Sequence, residues 1–574
     1  MRLLSGLFYA AVAVHAKTVV QNWEITYVTT NRGLNMDAKR GVGVNGKFPL
    51  PVVEAELGDT LVLNVRNSLD TPTSLHSHGI FQKSTNYYDG VHMVTECGIA
   101  PGSNFTYEIP LEQSGTYWIH GHTSEQNYDG LQTPLIIYDP NDPYPADCEY
   151  LFAFEDWSPK TAEEIYPLLT EPNPPFRLFD YPPNALINGL NANLTGPIAF
   201  EAGKTYRIRL VSMSSFPLFE FTIDDHELQI IEVDGVLTKP YTTNVVRLAS
   251  AERVSVLVTA KNSTALNYQY HVTMFGDFLP EIAGIFPSTY NGSVVYNSDS
   301  PYHVAESIAT GFLDELAIES LDNEPLLPVD HSLYLNATSG FMEDGSTFES
   351  FNQITYKSPL VPSLLSALTT GDMAYNPITY GPDTNALVVN LDEVIELLLW
   401  SPTNLPHPIH LHGHVFQIVE KGFTNDTTGQ YRNRVPEGNA PLKRDTLFIP
   451  GEEYAIVRFR ANNFGCHIIH CHISSHFMMG LNMLFVVAPD LIQKNVQVPD
   501  AVLEQCRLQG IPVSGNAATN NGFNFDAAPN EPFLLDNDPL TDLASDSPTD
   551  SPSGTLPGLL PGLLSGLQLN SLFD

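Results

Sequence analysis

The chain has 574 residues, too many for one compact core, and the usual domain size predicts about three or four domains. Acidic residues outnumber basic residues by 65 to 27, which gives a formal net charge of -38. This charge excludes a nucleic-acid-binding protein, because neutralising phosphates needs clustered Lys and Arg. It favours a soluble protein suited to acidic surroundings.

Residues 1–16 have the pattern of a secretory signal. Arg2 supplies a basic start, a short apolar run follows, and small residues precede an expected cut after Ala16. The run is too short to span a membrane, and a buried N-terminal strand is the alternative interpretation. Sequons compatible with a secreted or secretory-lumen glycoprotein lie at Asn104, Asn193, Asn262, Asn291, Asn336 and Asn425.

Segments rich in Val, Ile, Thr, Tyr and Phe alternate with turn residues along most of the chain, and long amphipathic helical patterns are scarce. Residues 60–65 and 206–211 are examples. The pattern predicts an all-β protein of sandwiches or barrels. Residues 56–63 recur in similar form at 391–398, and both segments precede a histidine cluster, so we expect them to be equivalent strands of related domains.

The predicted organisation is, in chain order, a signal at 1–16, domains at 17–145 and 146–300, an irregular connection at 301–362, a third domain at 363–506, and a low-complexity tail at 507–574. The tail is rich in Asn, Asp, Ser, Pro and Gly and cannot bury enough surface to order itself. Pro and Gly interrupt its apolar residues, so we expect no transmembrane segment, and its polar end makes a poor lipid-anchor signal.

Five cysteines are few for a disulfide scaffold, and an odd number leaves at least one free or bound to metal. Cys97 is expected to pair with Cys506 and to join the first domain to the end of the third. Cys148 and Cys466 have no assigned partner. Cys471 is the expected metal-bound cysteine, because it lies between His470 and His472.

Ten of the eighteen histidines fall in four short clusters. They are His76 and His78; His120 and His122; His407, His410 and His412; and His470, His472 and His476, which flank Cys471. In an extended chain, His-x-His places both imidazoles on one face. One such pair alone is more often a surface or core pair, but four clusters predict metal binding. Along 470–472 the cysteine then faces one site while its two neighbours face another.

Zinc is the first alternative metal, since imidazole and thiolate both bind it. Structural zinc sites commonly use paired cysteines, however, and here one cysteine accompanies ten histidines. A cysteine with two histidines is the blue-copper ligand set, which His407, Cys471 and His476 can supply. The other eight histidines are too many for one ion, so we expect several coppers.

The four clusters resemble the copper-binding motifs of the multicopper oxidases, the family of laccases, ascorbate oxidases and fungal ferroxidases. The resemblance runs from about residue 20 to residue 489 and includes the flanking segments 79–82, 89–90, 115–118, 129–131, 231–236 and 444–446. It implies three consecutive cupredoxin-like Greek-key β-barrel domains. It also implies four coppers in each chain: one type 1, one type 2 and a type 3 pair.

The resemblance assigns each ligand by its motif. The type 1 copper takes His407, Cys471 and His476, the type 2 copper takes His76 and His410, and the type 3 pair takes His78, His120, His122, His412, His470 and His472. His414 has no ligand position in the family motif and is expected to be structural. Leu481 occupies the axial type 1 position, and because leucine cannot coordinate, we expect a middling to high potential.

The implied reaction is one-electron oxidation of a reductant at the type 1 copper, transfer through Cys471, and four-electron reduction of dioxygen to water. Asp89 occupies the family's acidic position near the cluster and is the expected proton relay, with a turn residue before Gly90 as the alternative. The family usually has an acidic residue three positions after the cysteine. Here Ser474 replaces it, so a second proton donor is expected to be missing.

The first two clusters look closest to fungal ferroxidases and pigment-pathway laccases. Ferroxidases bind ferrous iron through three carboxylates, whose places here are Asp180, Glu281 and Thr403, so the third is absent. This absence, with no membrane anchor, favours a monomeric laccase that oxidises and couples phenolic polyketide or pigment precursors. Asp180 would then accept the phenol proton, or would be a loop aspartate. Ferroxidase activity is the enzymatic alternative, and copper storage is the non-enzymatic one.

Overall fold

The structure is a computed structural model that describes residues 16–32, 37–123, 125–169, 171–172, 184–276, 288–341, 345–425, 432–525 and 527–529. Strands dominate these ranges and the helices are short, so the predicted all-β class is confirmed. Nearly all of the predicted signal and the end of the predicted tail lie outside the described residues. Among the described helices, none has the length and apolar character that crossing a membrane requires.

The first domain contains two four-stranded sheets around a core that includes Trp23, Leu63, Tyr107 and Ile119. Its strands are β1 (Thr18–Thr30), β2 (Lys39–Val44), β3 (Val53–Glu56), β4 (Thr60–Asn67), β5 (Leu75–His78), β6 (Asn104–Pro110), β7 (Gly115–Gly121) and β8 (Gln132–Tyr138). One sheet has the order β2-β1-β4-β6 and the other has β3-β8-β7-β5. Every other residue of β4 is buried, as expected for a strand with one face on a core.

The second domain contains a seven-stranded and a five-stranded sheet, ordered β11-β10-β9-β13-β18-β15-β16 and β12-β20-β19-β14-β17. The strands are β9 (Cys148–Trp157), β10 (Asn184–Ile187), β11 (Leu190–Asn191), β12 (Ile198–Ala199), β13 (Thr205–Ser212), β14 (Leu218–Ile223), β15 (Leu228–Val233), β16 (Val236–Thr243), β17 (Val246–Leu248), β18 (Arg253–Thr259), β19 (Tyr268–Phe275) and β20 (Ser288–Val295). Phe154, Phe219 and Phe221 pack between the sheets, and Phe154 stacks on Phe219 with ring centroids 5.3 Å apart.

The third domain contains a larger sheet, ordered β22-β21-β24-β30-β26-β27 with β28 also paired to β26, and a five-stranded sheet, β23-β32-β31-β25-β29. The strands are β21 (His331–Phe341), β22 (Thr347–Phe351), β23 (Leu387–Val389), β24 (Val394–Trp400), β25 (His407–Leu411), β26 (Phe416–Phe423), β27 (Asn433–Arg434), β28 (Lys443–Arg444), β29 (Thr446–Ile449), β30 (Glu453–Arg460), β31 (Gly465–Cys471) and β32 (Asn482–Val487).

Equivalent strands recur in the three domains. β4, β13 and β24 each pair in parallel with the first strand of their domain, which is β1, β9 or β21. On the other side, each pairs antiparallel with β6, β18 or β30. β4 contains the second half of segment 56–63, and β24 contains residues 394–398 of segment 391–398. The prediction that these segments are equivalent strands is therefore confirmed, whereas the domain boundaries remain predictions.

The described residues include five short α-helices. They are α1 (Ala162–Leu169), α2 (Ser363–Thr369), α3 (Ser474–Met478), α4 (Pro489–Asn495) and α5 (Asp500–Leu508). Cys506 on α5 forms a disulfide with Cys97 of the first domain, so the predicted pairing is confirmed. Cys148 is exposed, Cys466 is buried, and both are free thiols in the structure.

Residues 301–362 differ from the predicted irregular connection, because this segment contains β21 and β22. Leu335 and Ala337 of β21 are buried in the core that the second and third domains share. Apolar and polar residues do not alternate regularly along this strand, so the sequence pattern did not mark it. The predicted tail also starts too early: Ala517 donates its N–H to the Thr379 carbonyl at 2.8 Å, and Ala518 is buried.

Candidate metal centre

His407, Cys471 and His476 converge in the third domain. β25 begins with His407, β31 ends with Cys471, and α3 carries His476. His476 Nδ1 lies 3.5 Å from Cys471 Sγ and 3.2 Å from His407 Nδ1. The three side chains are buried, and one ligand atom from each lies within 4.8 Å of the others. The predicted type 1 residues are therefore brought together.

Burial favours the neutral forms of these three side chains. It lowers the pKa of His476 to about 3 and that of His407 well below its usual value, so both imidazoles keep a lone pair for a metal. Burial also raises the pKa of the Cys471 thiol well above its usual value. A metal must therefore displace the thiol proton when it binds, and one thiolate with two imidazoles suits copper.

Leu481 closes this site through its backbone. Its carbonyl accepts the Cys471 N–H at 3.1 Å, and its own N–H donates to the His476 carbonyl at 3.0 Å. The leucine side chain is buried in the same core as Cys471 and offers no ligand atom. Met483, two residues further on, is also in that core, and its place opposite Ile469 suits packing.

Eight histidines form a cage between the first and third domains. Four come from the β5 and β7 region (His76, His78, His120 and His122) and four from the β25 and β31 region (His410, His412, His470 and His472). The rings of His76 and His412 have centroids 4.0 Å apart, and those of His78 and His410 are 3.7 Å apart. His414 stays outside the cage and packs edge-on against His467.

The cage histidines point free ring nitrogens at one another. His76, His120 and His410 each donate Nδ1–H to a backbone carbonyl at 2.7–3.0 Å. Their Nε2 atoms are buried and find no hydrogen-bond partner among the described residues. A carbonyl that fixes the outer nitrogen while the inner one is left for a metal is the usual arrangement around ligating histidines. The cage therefore fits copper.

Burial lowers the pKa of seven cage histidines, and repulsion from neighbouring imidazoles adds to this effect. They are His78, His120, His122, His410, His412, His470 and His472. Neutral imidazole is the form that binds metal, so the cage keeps its ligands ready over the ordinary pH range.

Strand register places the two clusters next to each other. His410 of β25 lies opposite His470 of β31, while Ile409 lies opposite Cys471. Because side chains alternate along a strand, His470 faces the cage and Cys471 faces the His407 and His476 side. His76 and His120 form the same kind of opposed pair in β5 and β7. One residue therefore separates the two sites along the chain.

Two aspartates hold the outer nitrogens of the cage. Asp89, the expected proton relay, accepts from His412 Nδ1 at 3.0 Å, and its other carboxyl oxygen lies 3.2 Å from His76 Nδ1. Asp445 has the same kind of position: it lies 3.2 Å from His78 Nε2 and is paired with Arg253 through two contacts of 2.6 and 2.7 Å. Sequence reasoning gave Asp445 no role, although it belongs to a flanking motif of the family.

Glu349 is a second residue that sequence reasoning missed. Its Oε1 lies 4.0 Å from His476 Nε2 and accepts the Ser339 hydroxyl at 2.6 Å. Its Oε2 is buried with no hydrogen-bond partner among the described residues, and burial raises the pKa of Glu349 to about 8. It comes from β22, far from any histidine cluster, and no local pattern marks it.

Of the three predicted substrate-side positions, Asp180 and Glu281 lie outside the described residues. Thr403 precedes β25 and is partly exposed. Its carbonyl accepts the Glu452 N–H at 2.7 Å, and its hydroxyl accepts the Leu405 N–H at 3.3 Å.

Comparison with known proteins agrees with this geometry. Three segments match family models described as multicopper oxidase, at residues 24–142, 149–286 and 356–491. The chain belongs to the multicopper oxidase family. This multicopper oxidase binds four coppers, one of type 1, one of type 2 and a type 3 pair, as the resemblance implied. Its predicted cupredoxin fold is likewise confirmed.

The multicopper oxidase is 35% identical to "Iron multicopper oxidase fer1" of Mycosarcoma maydis, a match that covers 93% of this chain and 91% of the relative. It is 37% identical to "Iron transport multicopper oxidase fio1" of Schizosaccharomyces pombe, over 92% of this chain and 86% of the relative. Its structure is similar to the crystal structure of Fet3p, described as a multicopper oxidase that functions in iron import. That match has a TM-score of 0.79 and 29% identity over 88% of this chain and 97% of the other.

These relatives overturn the predicted substrate. The expectation of a laccase acting on phenolic polyketide or pigment precursors is wrong, because similar proteins across nearly the whole chain are named for iron. The carboxylate missing at Thr403 and the absence of an expected membrane anchor decided that expectation, because the flanks of the first two clusters resemble both fungal ferroxidases and pigment-pathway laccases.

Proposed function

We propose that this multicopper oxidase is a ferroxidase. It oxidises four Fe²⁺ ions to Fe³⁺ while one dioxygen molecule and four protons become two water molecules. The observation that carries the proposal is the similarity, over 92–93% of the chain, to two relatives named as iron multicopper oxidases.

The proposal includes the ligand assignment. His407, Cys471 and His476 would hold the type 1 copper, His76 and His410 the type 2 copper, and His78, His120, His122, His412, His470 and His472 the type 3 pair. The burial of all eleven side chains and the free inner nitrogens support it. Bound copper supplies one-electron redox chemistry at both sites.

The protein residues then have distinct tasks. His476 lies at the outer side of its site, where an electron from iron would enter. Cys471 connects that site to the cage, because it is bonded through the backbone to His470 and His472. Asp89 fixes His412, and as a buried carboxyl against the cage it is the proposed proton relay.

Iron recognition would rest on oxygen ligands, because carboxylate oxygens attract the Fe²⁺ cation and its Fe³⁺ product. Asp180 and Glu281 are the proposed iron carboxylates. Thr403 supplies none, whereas Glu349 adds a carboxyl group 4.0 Å from the outer nitrogen of His476. This chain therefore has a carboxyl group beside the electron entry point, although its position differs from the family pattern and burial raises its pKa to about 8.

The test is a comparison of two reductants with one enzyme preparation. We expect kcat/KM for Fe²⁺ to exceed that for a substituted phenol by at least about tenfold, since only the cation gains from carboxylate ligands. Asp180→Ala is expected to raise KM for iron and to leave the phenol KM nearly unchanged. Equal kcat/KM values, or a preference for the phenol, would refute ferroxidase function.

We also propose that residues 1–16 direct the chain into the secretory pathway and that the mature protein works as a monomer. In support, β1 begins at Thr18, directly after the expected cut. The Lys17 N–H donates to Asp59 at 2.8 Å, so the first mature residue has a place in the fold.

A further inference from the structure

A small cavity lies beside the histidine cage, on the side of the chain segment that follows β7. Its volume is about 20 Å³, which is room for about one water molecule. Its lining includes the carboxyl-bearing Glu125 and the hydroxyl-bearing Ser474. The other titratable residues that line it are Cys471 and the cage histidines His120, His122, His470 and His472.

Glu125 is the one carboxyl group that lines this cavity. It is 6% exposed, and in the described part of the chain no Lys or Arg forms an ion pair with it. Burial of a carboxyl group with no cation beside it favours the protonated form of that group. Burial raises the pKa of Glu125 to about 8, and the Ser474 hydroxyl opposes part of that shift. Glu125 therefore holds a proton next to the cage at neutral pH.

The backbone of Glu125 indicates that its place is constrained. Its φ is +52°, in the left-handed region that glutamate rarely adopts. The turn is fixed by the Tyr128 N–H, which donates to the Glu125 carbonyl at 3.0 Å. A strained glutamate with a buried, uncompensated carboxyl contributes little to stability, which favours a functional role.

Ser474 gives a second, independent reason. It stands at the position where the family pattern has an acidic residue, three after Cys471, and it lines the same cavity as Glu125. The carboxyl missing from α3 is thus replaced in space by one from the segment between β7 and β8. The exchange keeps a carboxyl group on this side of the cage, in addition to Asp89 and Asp445, which contact His412 and His78.

We propose that Glu125 donates protons to dioxygen reduction in the cage, through the water that the cavity can hold. Reduction of one dioxygen to two waters takes four electrons and four protons. Glu125 gives up its carboxyl proton toward the cage and takes another from solvent. Asp89 contacts His76 and His412, whereas Glu125 lines a cavity together with His120, His122, His470 and His472. The two carboxyl groups therefore lie near different histidines of the cage.

The experiment measures how fast dioxygen reoxidises the reduced four-copper protein. Neither iron nor a phenol takes part in this step, so the result does not depend on which reductant is the natural substrate. Wild type, Glu125→Gln and the exposed control Glu163→Gln are reduced anaerobically with ascorbate and mixed with dioxygen. Recovery of the blue absorption is followed as a function of pH and in heavy water. We expect Glu125→Gln to slow recovery by about tenfold or more and to alter its pH profile, with Glu163→Gln unchanged.

Two further measurements exclude a purely structural effect. The double variant Glu125→Gln/Ser474→Glu returns a carboxyl to the family position and is expected to regain most of the lost rate. In the copper-free protein, the infrared band of a protonated carboxyl should weaken in Glu125→Gln. Wild-type recovery rates in Glu125→Gln, a loss that matches lost copper, or no rescue by the double variant would each overturn the proposal.

Discussion

Cys471 connects two metal sites because a strand alternates its side chains. His470 lies opposite His410 on the cage side, and Cys471 lies opposite Ile409 on the other side. This alternation was readable from the sequence, as were all eleven proposed ligands, since His-x-His spacing is a local pattern. Residue spacing therefore marks the clusters before any fold is known, and the family motif is what separates the ligands from His414.

Glu125, Glu349 and Asp445 could not be predicted in this way. Asp445 lies 367 positions from His78, which it contacts, so no short pattern connects them. Glu349 and His476 belong to β22 and α3, and their closeness depends on how these elements pack. Contacts between distant elements carry no local signature, and sequence reasoning from one chain misses them.

Thr403 offers a test of iron recognition at the scale of one side chain. Thr403→Asp places a carboxylate where the family's ferroxidases have one, four residues before His407. Because carboxylates favour a hard cation, we expect kcat/KM for Fe²⁺ to rise by about three- to tenfold and that for a phenol to stay within about twofold. Steady-state oxygen uptake measures both.

The matched control is Thr403→Asn, which has nearly the same shape without the charge. Thr403→Asn should leave kcat/KM for Fe²⁺ close to that of the wild type. If both variants change kcat/KM for Fe²⁺ and kcat/KM for the phenol equally, Thr403 does not face the iron, and the assignment of this position fails.

At the scale of elements, the copper ligands occupy equivalent strands of two domains. β5 and β7 in the first domain correspond to β25 and β31 in the third by their place in the sheet order. The equivalent strand of the second domain, β14, carries Phe219 and Phe221 in the core instead. The sequence echo at residues 391–398 predicted this repetition, whereas β21 and the edge strand β22 were not recognised.

Glu96, in the segment between β5 and β6, makes the free energy of unfolding depend on pH. Its carboxyl accepts the Tyr107 hydroxyl at 3.0 Å, and burial raises the pKa of Glu96 to about 8. An unfolded glutamate loses its proton near pH 4–5, so between about pH 5 and 8 only the folded state keeps it. This contribution to the free energy of unfolding therefore falls as pH rises through that range.

Glu96→Gln removes the titrating group and keeps an acceptor for Tyr107. We expect the melting temperature of Glu96→Gln to gain on that of the wild type as pH rises from about 5 to 8, by a few degrees in total. Scanning calorimetry measures both, with the exposed Glu108→Gln as control. Parallel curves for wild type and Glu96→Gln would show that Glu96 is ionised in the fold.

At the scale of the whole molecule, the cage joins the first domain to the third. Four of its histidines come from each side. Six of the eight have a buried ring nitrogen with no hydrogen-bond partner among the described residues: His76, His78, His120, His122, His410 and His472. Three family domains in order were predictable from the sequence. Their contact was not, because it depends on how the domain surfaces fit.

Copper removal should therefore loosen this contact. We expect the copper-free protein to unfold at least about 5 °C below the copper-loaded protein, because a ligand that binds only the folded state stabilises it by mass action. Calorimetry with and without a chelator measures this. The Cys97–Cys506 disulfide remains in both forms and serves as an internal constant. Equal melting temperatures would contradict a copper cage shared between domains.

The most direct test of ferroxidase function by a four-copper enzyme is the ratio of iron oxidised to dioxygen consumed. Fe³⁺ formation and oxygen uptake are measured together for wild type and for Cys471→Ser, which breaks the connection between the sites. We predict four Fe³⁺ per dioxygen with no hydrogen peroxide in the wild type, and only the background rate in Cys471→Ser. Two Fe³⁺ per dioxygen with peroxide, or a wild-type rate in Cys471→Ser, would contradict it.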